Sequence, residues 1–328
     1  GPNGAGKTSI LEAIHLLGRG RSFRTRQARE LVQRGAESFL VSGGIVGPEG
    51  EKNRLGVRYS DGSLALRLDG VKAKSIGDLA DKLPVHVIEP STHLLVEGGP
   101  RERRRFLDWG VFHVEPGYLA AWRRYRRILG QRNTALKTGS TSRSLEAWTV
   151  GLAEAGNLVV EFRSRYVEQM RVLLELIGIQ LLNKVVAIQH RSGWSPGRNF
   201  EEALAASLSK DRAMGATQVG PHRADLELRI KGRVAREEVS RGEQKLLAAA
   251  LVLAQVAVFA AVRGTGGVLL VDDPAAELDR RSLGRLMGAL DDSPAQQVLT
   301  GLSQTLLSPA VGAPVFHVEL GKTIRVVQ

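Results

Sequence analysis

The first eight residues, GPNGAGKT, constrain the fold more than any other stretch of the chain. They match G-x-x-x-x-G-K-[ST], a loop whose successive backbone N–H groups converge on phosphate oxygens. Residues 9–17 follow with apolar side chains spaced for one face of a helix. A helix that begins at such a loop directs its positive end at the bound anion. The opening therefore predicts a phosphate-binding loop in an α/β fold.

This loop supplies the first candidate site residues. Lys7 would neutralise the β and γ phosphates and take part in catalysis, and Thr8 would give its hydroxyl to Mg²⁺. Gly4 and Gly6 permit a close approach of phosphate that a side chain would block. A chance match in a glycine-rich turn is the alternative interpretation. The candidate cofactor-binding residues of the loop are Gly1, Pro2, Asn3, Gly4, Ala5, Gly6, Lys7 and Thr8.

A second motif, VLLVDD at residues 268–273, is an apolar run that ends in two carboxylates. A buried strand of this kind would carry an acid to the phosphate site. We expect Asp272 to hold Mg²⁺, directly or through water, and Asp273 to orient or deprotonate the attacking water. Alone, the pattern is unspecific, because buried strands often end in acids.

The third motif, SRGEQK at residues 240–245, comes just before an apolar, alanine-rich run that predicts a helix over 244–262. A serine at this position can simply cap the helix. Together with the free N–H groups of the helix end, the same hydroxyl can also receive a γ-phosphate. Ser240 and Gly242 are therefore candidate nucleotide-binding residues, and both interpretations of the serine stay open.

The order of these motifs, with AELD at residues 276–279 after the second, resembles an ABC-type ATPase head. Further segments, GRGRSFRT, GGPRERRRFLDWGVFHVEPGY, QRNTAL and GPHRADL, are similar to those of the RecF family of recombination-repair proteins along essentially the whole chain. The resemblance implies an α/β ABC-type P-loop head, with a parallel or mixed sheet, flanking helices and antiparallel strands, and an inserted helical lobe. We expect the head at residues 1–99 and 216–328, and the lobe at residues 100–215.

The same resemblance implies a function in DNA replication, DNA repair and the SOS response to DNA damage. It implies a cytoplasmic, ATP-dependent DNA-binding protein that acts at single-strand gaps and works with RecO and RecR to help load RecA. The expected cofactors are ATP and Mg²⁺. Two heads would sandwich two ATP molecules, so that Ser240 and Gly242 of one subunit cap the nucleotide held by Lys7 of the other. Weak ATP hydrolysis would then switch the dimer back to monomers.

The chain departs from the family pattern at several positions. Glu243 stands where the signature usually has glutamine, and Asp273 stands where transporter-type heads carry a catalytic glutamate. Gly301 follows the strand expected at 297–300, where transporters carry a switch histidine. Ala224 replaces a more usual acid, which leaves Asp225 as the functional carboxylate of that segment. The neighbouring His222 and Arg223 are either site residues or parts of a locally hydrogen-bonded turn.

The charge balance favours a polyanionic partner. Lys plus Arg number 46 against 34 acids, for a net charge of +12, which makes nucleic acid the first expectation and an acidic membrane the second. The chain has no cysteine, which fits a reducing compartment. No uninterrupted apolar run approaches the roughly 20 residues of a membrane span, since the longest candidate, residues 246–262, is interrupted by Gln255, and no membrane partner is expected. The scattered histidines imply no metal beyond nucleotide-bound Mg²⁺.

The middle of the chain predicts amphipathic helices. Apolar residues recur from Tyr118 to Leu129 at helical spacing, and arginines that either face solvent or face DNA occupy much of the rest: Arg123, Arg124, Arg126, Arg127 and Arg132. Residues 145–166 form a short heptad seam. Two helices around a turn suggest an antiparallel hairpin, and Gly151 and Gly156 argue against a long, rigid coiled coil there. Arg101, Arg103, Arg104 and Arg105 could cap a helix start or contact phosphate, and most of them are expected on a solvated face.

Three alternative functions share part of this pattern. A transporter ATPase subunit carries all three motifs, but it would need a membrane partner and usually a switch histidine. An SMC-like structural chromosome protein would need far more heptads than residues 145–166 supply. A P-loop kinase for small molecules would leave residues 240–245 without a role.

Overall fold

The computed structural model of the chain describes residues 1–47, 49–139, 142–302, 313–319 and 322–326. The helices are α1 (Lys7–Arg19), α2 (Ile76–Lys82), α3 (Leu94–Glu97), α4 (Pro100–Val114), α5 (Tyr118–Lys137), α6 (Ser142–Leu182), α7 (Phe200–Met214), α8 (Ala235–Glu238), α9 (Arg241–Arg263), α10 (Pro274–Glu277) and α11 (Arg280–Asp291). The strands are β1 (Phe39–Val46), β2 (Lys52–Ser60), β3 (Ser63–Leu68), β4 (Val71–Lys72), β5 (Val85–Ile88), β6 (Val186–Arg191), β7 (Asp225–Ile230), β8 (Arg233–Val234), β9 (Val268–Val271), β10 (Gln296–Leu299), β11 (Val315–Glu319) and β12 (Lys322–Val326).

The chain divides into two compact units. One unit joins the two ends of the chain, Gly1–Thr92 and Arg241–Gln328, and the other is His93–Ser240. The sequence placed the inserted lobe at residues 100–215. The compact insertion is longer at both ends because β7 pairs with β6 and contacts α4, and because α8 contacts β7. The assignment of functional lobes to these units stays a prediction.

The unit formed by the chain ends contains a parallel sheet that positions the phosphate loop and both acids. Its strand order is β10-β9-β5, and Val271 is in register with Ile88 and with Leu299. The carboxyl ends of all three strands therefore lie side by side, where loops of an α/β sheet bind ligands. A separate antiparallel sheet, β1-β2-β3-β4, packs on the same core. The buried centre of that core is Leu11, Leu16, Leu17, Leu55, Val57, Leu79, Leu83, Val85 and Leu270.

Helix α9 lies in this unit and explains the long apolar run. It is long and apolar enough to cross a membrane by length and composition alone, but 72% of its apolar window is buried inside the protein. All side chains from Leu246 to Val256 are buried. This burial is typical of a core helix, which the alanine-rich sequence suits because small side chains let neighbouring elements approach closely.

The inserted unit is built on α5 and α6. The pairs Arg124–Glu154 and Arg132–Thr149 connect the two helices and show that they run antiparallel. The heptad seam is confirmed in its centre, since Leu152, Ala155, Val159 and Tyr166 are each at most 1% exposed.

The glycines that argue against a long, rigid coiled coil do not end α6, which continues for 41 residues through both of them. The ring of Phe200 packs so close to Gly156 that an added Cβ would lie 2.3 Å from it. Close side-chain packing therefore requires Gly156 where helix propensity alone disfavours it.

Candidate functional site

The phosphate loop has a backbone that its glycines make possible. Gly4 and Gly6 have positive φ angles of 78° and 105°, a region that side chains disfavour. A Cβ on Gly1 would lie 1.8 Å from the carbonyl oxygen of Val318 on β11, so this position also excludes a side chain. The loop then leads directly into α1, whose first turn contains no acidic residue. The unpaired N–H groups of that turn make the loop an anion site.

Lys7 lies across its own loop. Its Nζ donates to the carbonyl oxygens of Gly1 and Pro2 at 2.7 and 2.8 Å. The ammonium group is thus held inside the ring of backbone that would surround phosphate. An anion can displace these neutral acceptors, because a charge-assisted hydrogen bond is stronger than one to a carbonyl group.

Thr8 and Asp272 meet although 264 residues separate them in sequence. The Thr8 hydroxyl is 3.0 Å from both carboxylate oxygens of Asp272. Thr300, which follows β10, donates its own hydroxyl to Asp272 Oδ1 at 2.7 Å. Asp272 is nearly buried, at 8% exposure, and these two hydroxyls replace the water that a buried carboxylate loses.

Asp273 occupies a strained backbone position beside this cluster. Its φ and ψ are 42° and 57°, in the left-handed region that few non-glycine residues adopt. Its N–H donates to Thr300 Oγ1 at 3.1 Å. Among the described residues, no donor reaches the buried Asp273 Oδ1. Strain and an unsatisfied carboxylate oxygen are both typical of functional positions.

The oxygen set fits Mg²⁺. This ion is usually held by one or two protein oxygens together with nucleotide phosphates and water. Thr8 and Asp272 supply such oxygens within 3.0 Å of each other, and the free Asp273 Oδ1 can accept a hydrogen bond from a water. The described residues hold no cluster of three or more His, Cys, Asp or Glu side chains that would form a metal site on its own. The site therefore suits a metal that arrives with a nucleotide.

A cavity of about 520 Å³ is lined by the phosphate loop together with Asp272 and Asp273. Its volume suits a small-molecule ligand. The residues that line it are Asn3, Gly4, Gly6, Lys7, Thr8, Ser9, Phe23, Arg24, Glu89, Pro90, Ser91, Asp272 and Asp273. Most candidate residues of the loop and both acids are thus brought together, whereas their roles in binding and catalysis stay predictions.

Sequence reasoning missed part of this lining. Arg24 was recognised only as one arginine of GRGRSFRT, and the structure places it in the cavity with its guanidinium 3.7 Å from Glu12. Glu89 follows β5, the strand next to β9, but β5 has only four residues and gave no strand pattern in the sequence. Thr300 was expected only as the last residue of a strand at 297–300, because its contact with Asp272 depends on the register of β10 with β9.

The third motif begins α9. Ser240 is exposed and immediately precedes the helix, and Gly242 lies in its first turn. Within the described residues, a Cβ on Gly242 would touch nothing within 4 Å. Lys245 on this helix forms an ion pair with the carboxylate of Glu277 on α10, and its Nζ also donates to the Glu277 carbonyl oxygen at 3.1 Å. These two contacts connect the first turns of α9 to α10, the helix that follows Asp273.

His222 and Asp225 belong to hydrogen-bond networks inside the inserted unit. His222 Nε2 donates to the Thr217 carbonyl oxygen at 3.0 Å, and its Nδ1 accepts from the Tyr125 hydroxyl at 2.6 Å. Burial lowers the pKa of His222 to about 4, so the ring is neutral at pH 7. Asp225 accepts two hydrogen bonds from Arg103 at 2.8 and 2.9 Å. These contacts favour the turn interpretation of His222 and a structural role for Asp225, whereas Arg223 is exposed at its contact with Gln218 Oε1, 3.5 Å from its Nη2.

The arginines of the helical region differ in exposure. Arg123, Arg126 and Arg127 on α5 are exposed. The placement of Arg132 on the basic face is wrong: it is fully buried, and its Nη1 is 2.7 Å from Asp211 Oδ2. The expectation of a solvated face at Arg103 and Arg104 is also wrong. Arg103 pairs with Asp225, and Arg104 donates to the Ala224 carbonyl oxygen at 2.6 Å.

Comparisons with known proteins agree with this architecture. Residues 1–319 match the model of the RecF/RecN/SMC N terminal domain family. The chain is 43% identical over 330 residues to the DNA replication and repair protein RecF of Thioalkalivibrio sulfidiphilus, covering 99% of this chain and 91% of that protein. It is 40% identical over 332 residues to RecF of Pseudomonas putida, covering 98% and 90%.

Solved structures give the same picture of the fold. A structure of the recombination mediator protein RecF with ATP, described as part of the RecFOR pathway, has a TM-score of 0.86 at 26% identity and covers 99% of this chain and 90% of that one. An Smc head bound to the C-terminal winged-helix domain of ScpA has a TM-score of 0.58 at 18% identity and covers 99% and 87%. The second likeness concerns the fold alone.

Proposed function

Because the chain belongs to the RecF family of DNA replication and repair proteins, we propose that it is an ATP-dependent DNA-binding protein of recombinational repair and replication restart. It binds ATP in the cavity at the phosphate loop, dimerises when ATP is bound, and acts on duplex DNA next to single-strand gaps. Membership in this family also removes the reason to consider a transporter subunit or a small-molecule kinase.

One observation carries the proposal. The hydroxyl of Thr8 and the carboxylate of Asp272 lie within 3.0 Å of each other in the same cavity as Lys7 and the loop glycines. These residue types in this arrangement suit a nucleoside triphosphate with a divalent metal. A relative of known structure was solved with ATP, which supports the same ligand here.

The proposed chemistry assigns a role to each part of the cavity. Backbone N–H groups of the loop and Lys7 bind the β and γ phosphates, and Thr8 and Asp272 hold the metal. Mg²⁺ at this position neutralises charge on the two phosphates. Asp273 accepts a hydrogen bond from the attacking water or takes its proton, with Oδ1 as the available oxygen. Because aspartate is a weak base that reaches less far than glutamate, we expect slow turnover.

The proposed dimer completes the site in trans. Ser240 and Gly242 of one subunit cap the γ-phosphate of the ATP bound by the other, for which an exposed serine at a helix start is suited. ATP binding then joins two subunits, and hydrolysis separates them. Glu243 lies in the same turn, and its negative charge opposes that of the γ-phosphate. Tight binding of the γ-phosphate therefore depends more strongly on the Ser240 hydroxyl.

The proposed partners follow from charge and from family. A net charge of +12 attracts duplex DNA, and phosphate contacts without base-reading elements make binding independent of sequence. A related protein belongs to the RecFOR pathway. We therefore propose RecO and RecR as partners in loading RecA, and a cytoplasmic location.

Lys7→Ala tests the nucleotide site. The full-length protein with this substitution should bind ATP at least about tenfold more weakly, because a hydrogen bond to a charged group contributes about 1.5 to 3 kcal/mol. Isothermal titration calorimetry with Mg²⁺ and ATP measures the change. Lys210→Ala, on the exposed surface of α7, removes the same charge elsewhere and should leave the affinity unchanged. Equal ATP affinity in wild type and Lys7→Ala would show that the loop does not bind the triphosphate.

A further inference from the structure

Thr300 occupies a position level with the two acids. It directly follows β10, which runs parallel to β9 with Leu299 in register with Val271. The Thr300 N–H donates to the Val271 carbonyl oxygen at 2.9 Å and continues the ladder by one residue. The next side chains along the two strands are therefore Thr300 on one side and Asp272 on the other.

The Thr300 hydroxyl bonds to both acids in a fixed direction. A backbone N–H can only donate and an ionised carboxylate can only accept. The hydroxyl must therefore accept from the Asp273 N–H, at 3.1 Å, and donate its single proton to Asp272 Oδ1, at 2.7 Å. One hydroxyl thus connects the backbone of Asp273 to the carboxylate of Asp272.

This connection acts where the chain is strained. Asp273 has the left-handed backbone described above, and such conformations persist only where surrounding contacts hold them. In the described residues, the Thr300 hydroxyl is the side-chain acceptor for the Asp273 N–H. The direction of the Asp273 side chain therefore depends on a residue that has no charge.

The same bond distinguishes the two oxygens of Asp272. Thr8 has a single proton to share between the two oxygens and would bind a metal through an oxygen lone pair, whereas Thr300 donates to Oδ1 alone. Thr300 does not have to move, so Oδ1 keeps its donor and Oδ2 becomes the oxygen that faces the metal or a metal-bound water.

We propose that Thr300 is a positioning residue of the ATPase site, which presents Asp272 Oδ2 to the nucleotide-bound metal and aims Asp273 at the attacking water. The inference rests on the proposed function and concerns the metal-dependent part of nucleotide binding and turnover. It assigns no direct contact between Thr300 and nucleotide or metal.

Thr300→Val removes the hydroxyl with little change in volume. In full-length protein, the Mg²⁺ concentration that gives half-maximal binding of a fluorescent ATP analogue should rise about 10- to 100-fold, as is usual when a partner of a metal ligand is lost. Binding of the analogue in EDTA should not change, because the loop and Lys7 are untouched. The turnover number should fall more than the KM for ATP rises at saturating Mg²⁺. Thr300→Ser keeps the hydroxyl and should restore most of the metal affinity.

Thr134→Val is the matched control, since among the described residues the Thr134 hydroxyl donates to the Gly130 carbonyl oxygen of its own helix, α5. It should leave all three measurements at wild-type values. The proposal is overturned if Thr300→Val keeps the wild-type Mg²⁺ dependence, or if it weakens EDTA-resistant and Mg²⁺-dependent binding equally and serine fails to rescue it. If wild-type protein binds no ATP analogue, the nucleotide site itself is refuted, and Thr300 loses its role with it.

Discussion

Arginine–carboxylate pairs with the same chemistry have very different surroundings in this protein. The side chains of Arg132 and Asp211 are both 0% exposed, while those of Arg124 and Glu154 are 55% and 59% exposed. Arg132 also donates to Thr149 and Thr217. A buried charge that loses its partner has no water to replace it, whereas an exposed one does.

Arg132→Ala should therefore lower the free energy of unfolding by about 3 to 5 kcal/mol, because it leaves Asp211 buried without its cation. Arg124→Ala removes an exposed ion pair made by a residue of the same helix, α5. It should lower the free energy of unfolding by at most about 1 kcal/mol. Urea denaturation followed by circular dichroism measures both, with the denaturant slope checked for each variant. Similar losses for the two variants would contradict the assignment of Arg132 to the interior.

At the scale of the element, α9 combines two different surfaces. Its first residues are exposed or half-buried, and its side chains from Leu246 to Val256 are buried. The buried part fixes the helix in its unit, and the Lys245–Glu277 pair fixes the start of the helix against α10. The exposed N-terminus is thus presented rigidly, as a site for a ligand of another subunit requires.

Ser240→Ala should leave ATP binding by the isolated subunit within about twofold of wild type and should prevent ATP-dependent dimerisation, because the serine is proposed to act in trans. A lost cap costs about 1 kcal/mol of stability, which is too little to unfold the protein. Sedimentation velocity with and without ATP measures the dimer, and Ser209→Ala on exposed α7 is the control. Normal ATP-dependent dimers of Ser240→Ala would remove the serine from the interface.

At the scale of the whole molecule, the net positive charge determines which kind of partner the protein attracts. The surplus of 12 positive charges is carried by groups other than Arg132, Arg103 and Arg163, because acids inside the inserted unit neutralise these three arginines. Exposed arginines such as Arg123 and Arg127 remain free to face a polyanion. Attraction of this kind is long-ranged and strongly screened by salt.

Duplex DNA binding should weaken steeply with salt. If about five phosphates are neutralised, the logarithm of the association constant should fall with the logarithm of salt concentration at a slope of roughly −4 to −5. Fluorescence anisotropy with ATP present, on two duplexes of equal length and unrelated sequence, measures the slope and the sequence preference together. A slope near zero, or a large difference between the duplexes, would refute binding through phosphates.

Much of the fold could be predicted from local patterns. The strand at residues 268–271 is confirmed with identical bounds, and the helix expected at 244–262 runs from Arg241 to Arg263. Such predictions succeed because the spacing of apolar residues within one helix or strand shows which of its faces is buried. The length of α6 could not be predicted, since Gly156 lowers helix propensity locally and is required only by the ring of Phe200, 44 residues later.

By itself, the sequence determined the phosphate loop, the acids that follow β9 and the family, because each depends on residue types within short stretches. The tertiary structure alone decided which distant groups share a site. Thr300 bonds to Asp272 because parallel strands set their carboxyl ends side by side, and Arg132 is buried where Asp211, Thr149 and Thr217 accept its hydrogen bonds. The register of strand pairing and the burial of a side chain depend on which elements pack together. Neither can therefore be read from a short stretch of sequence.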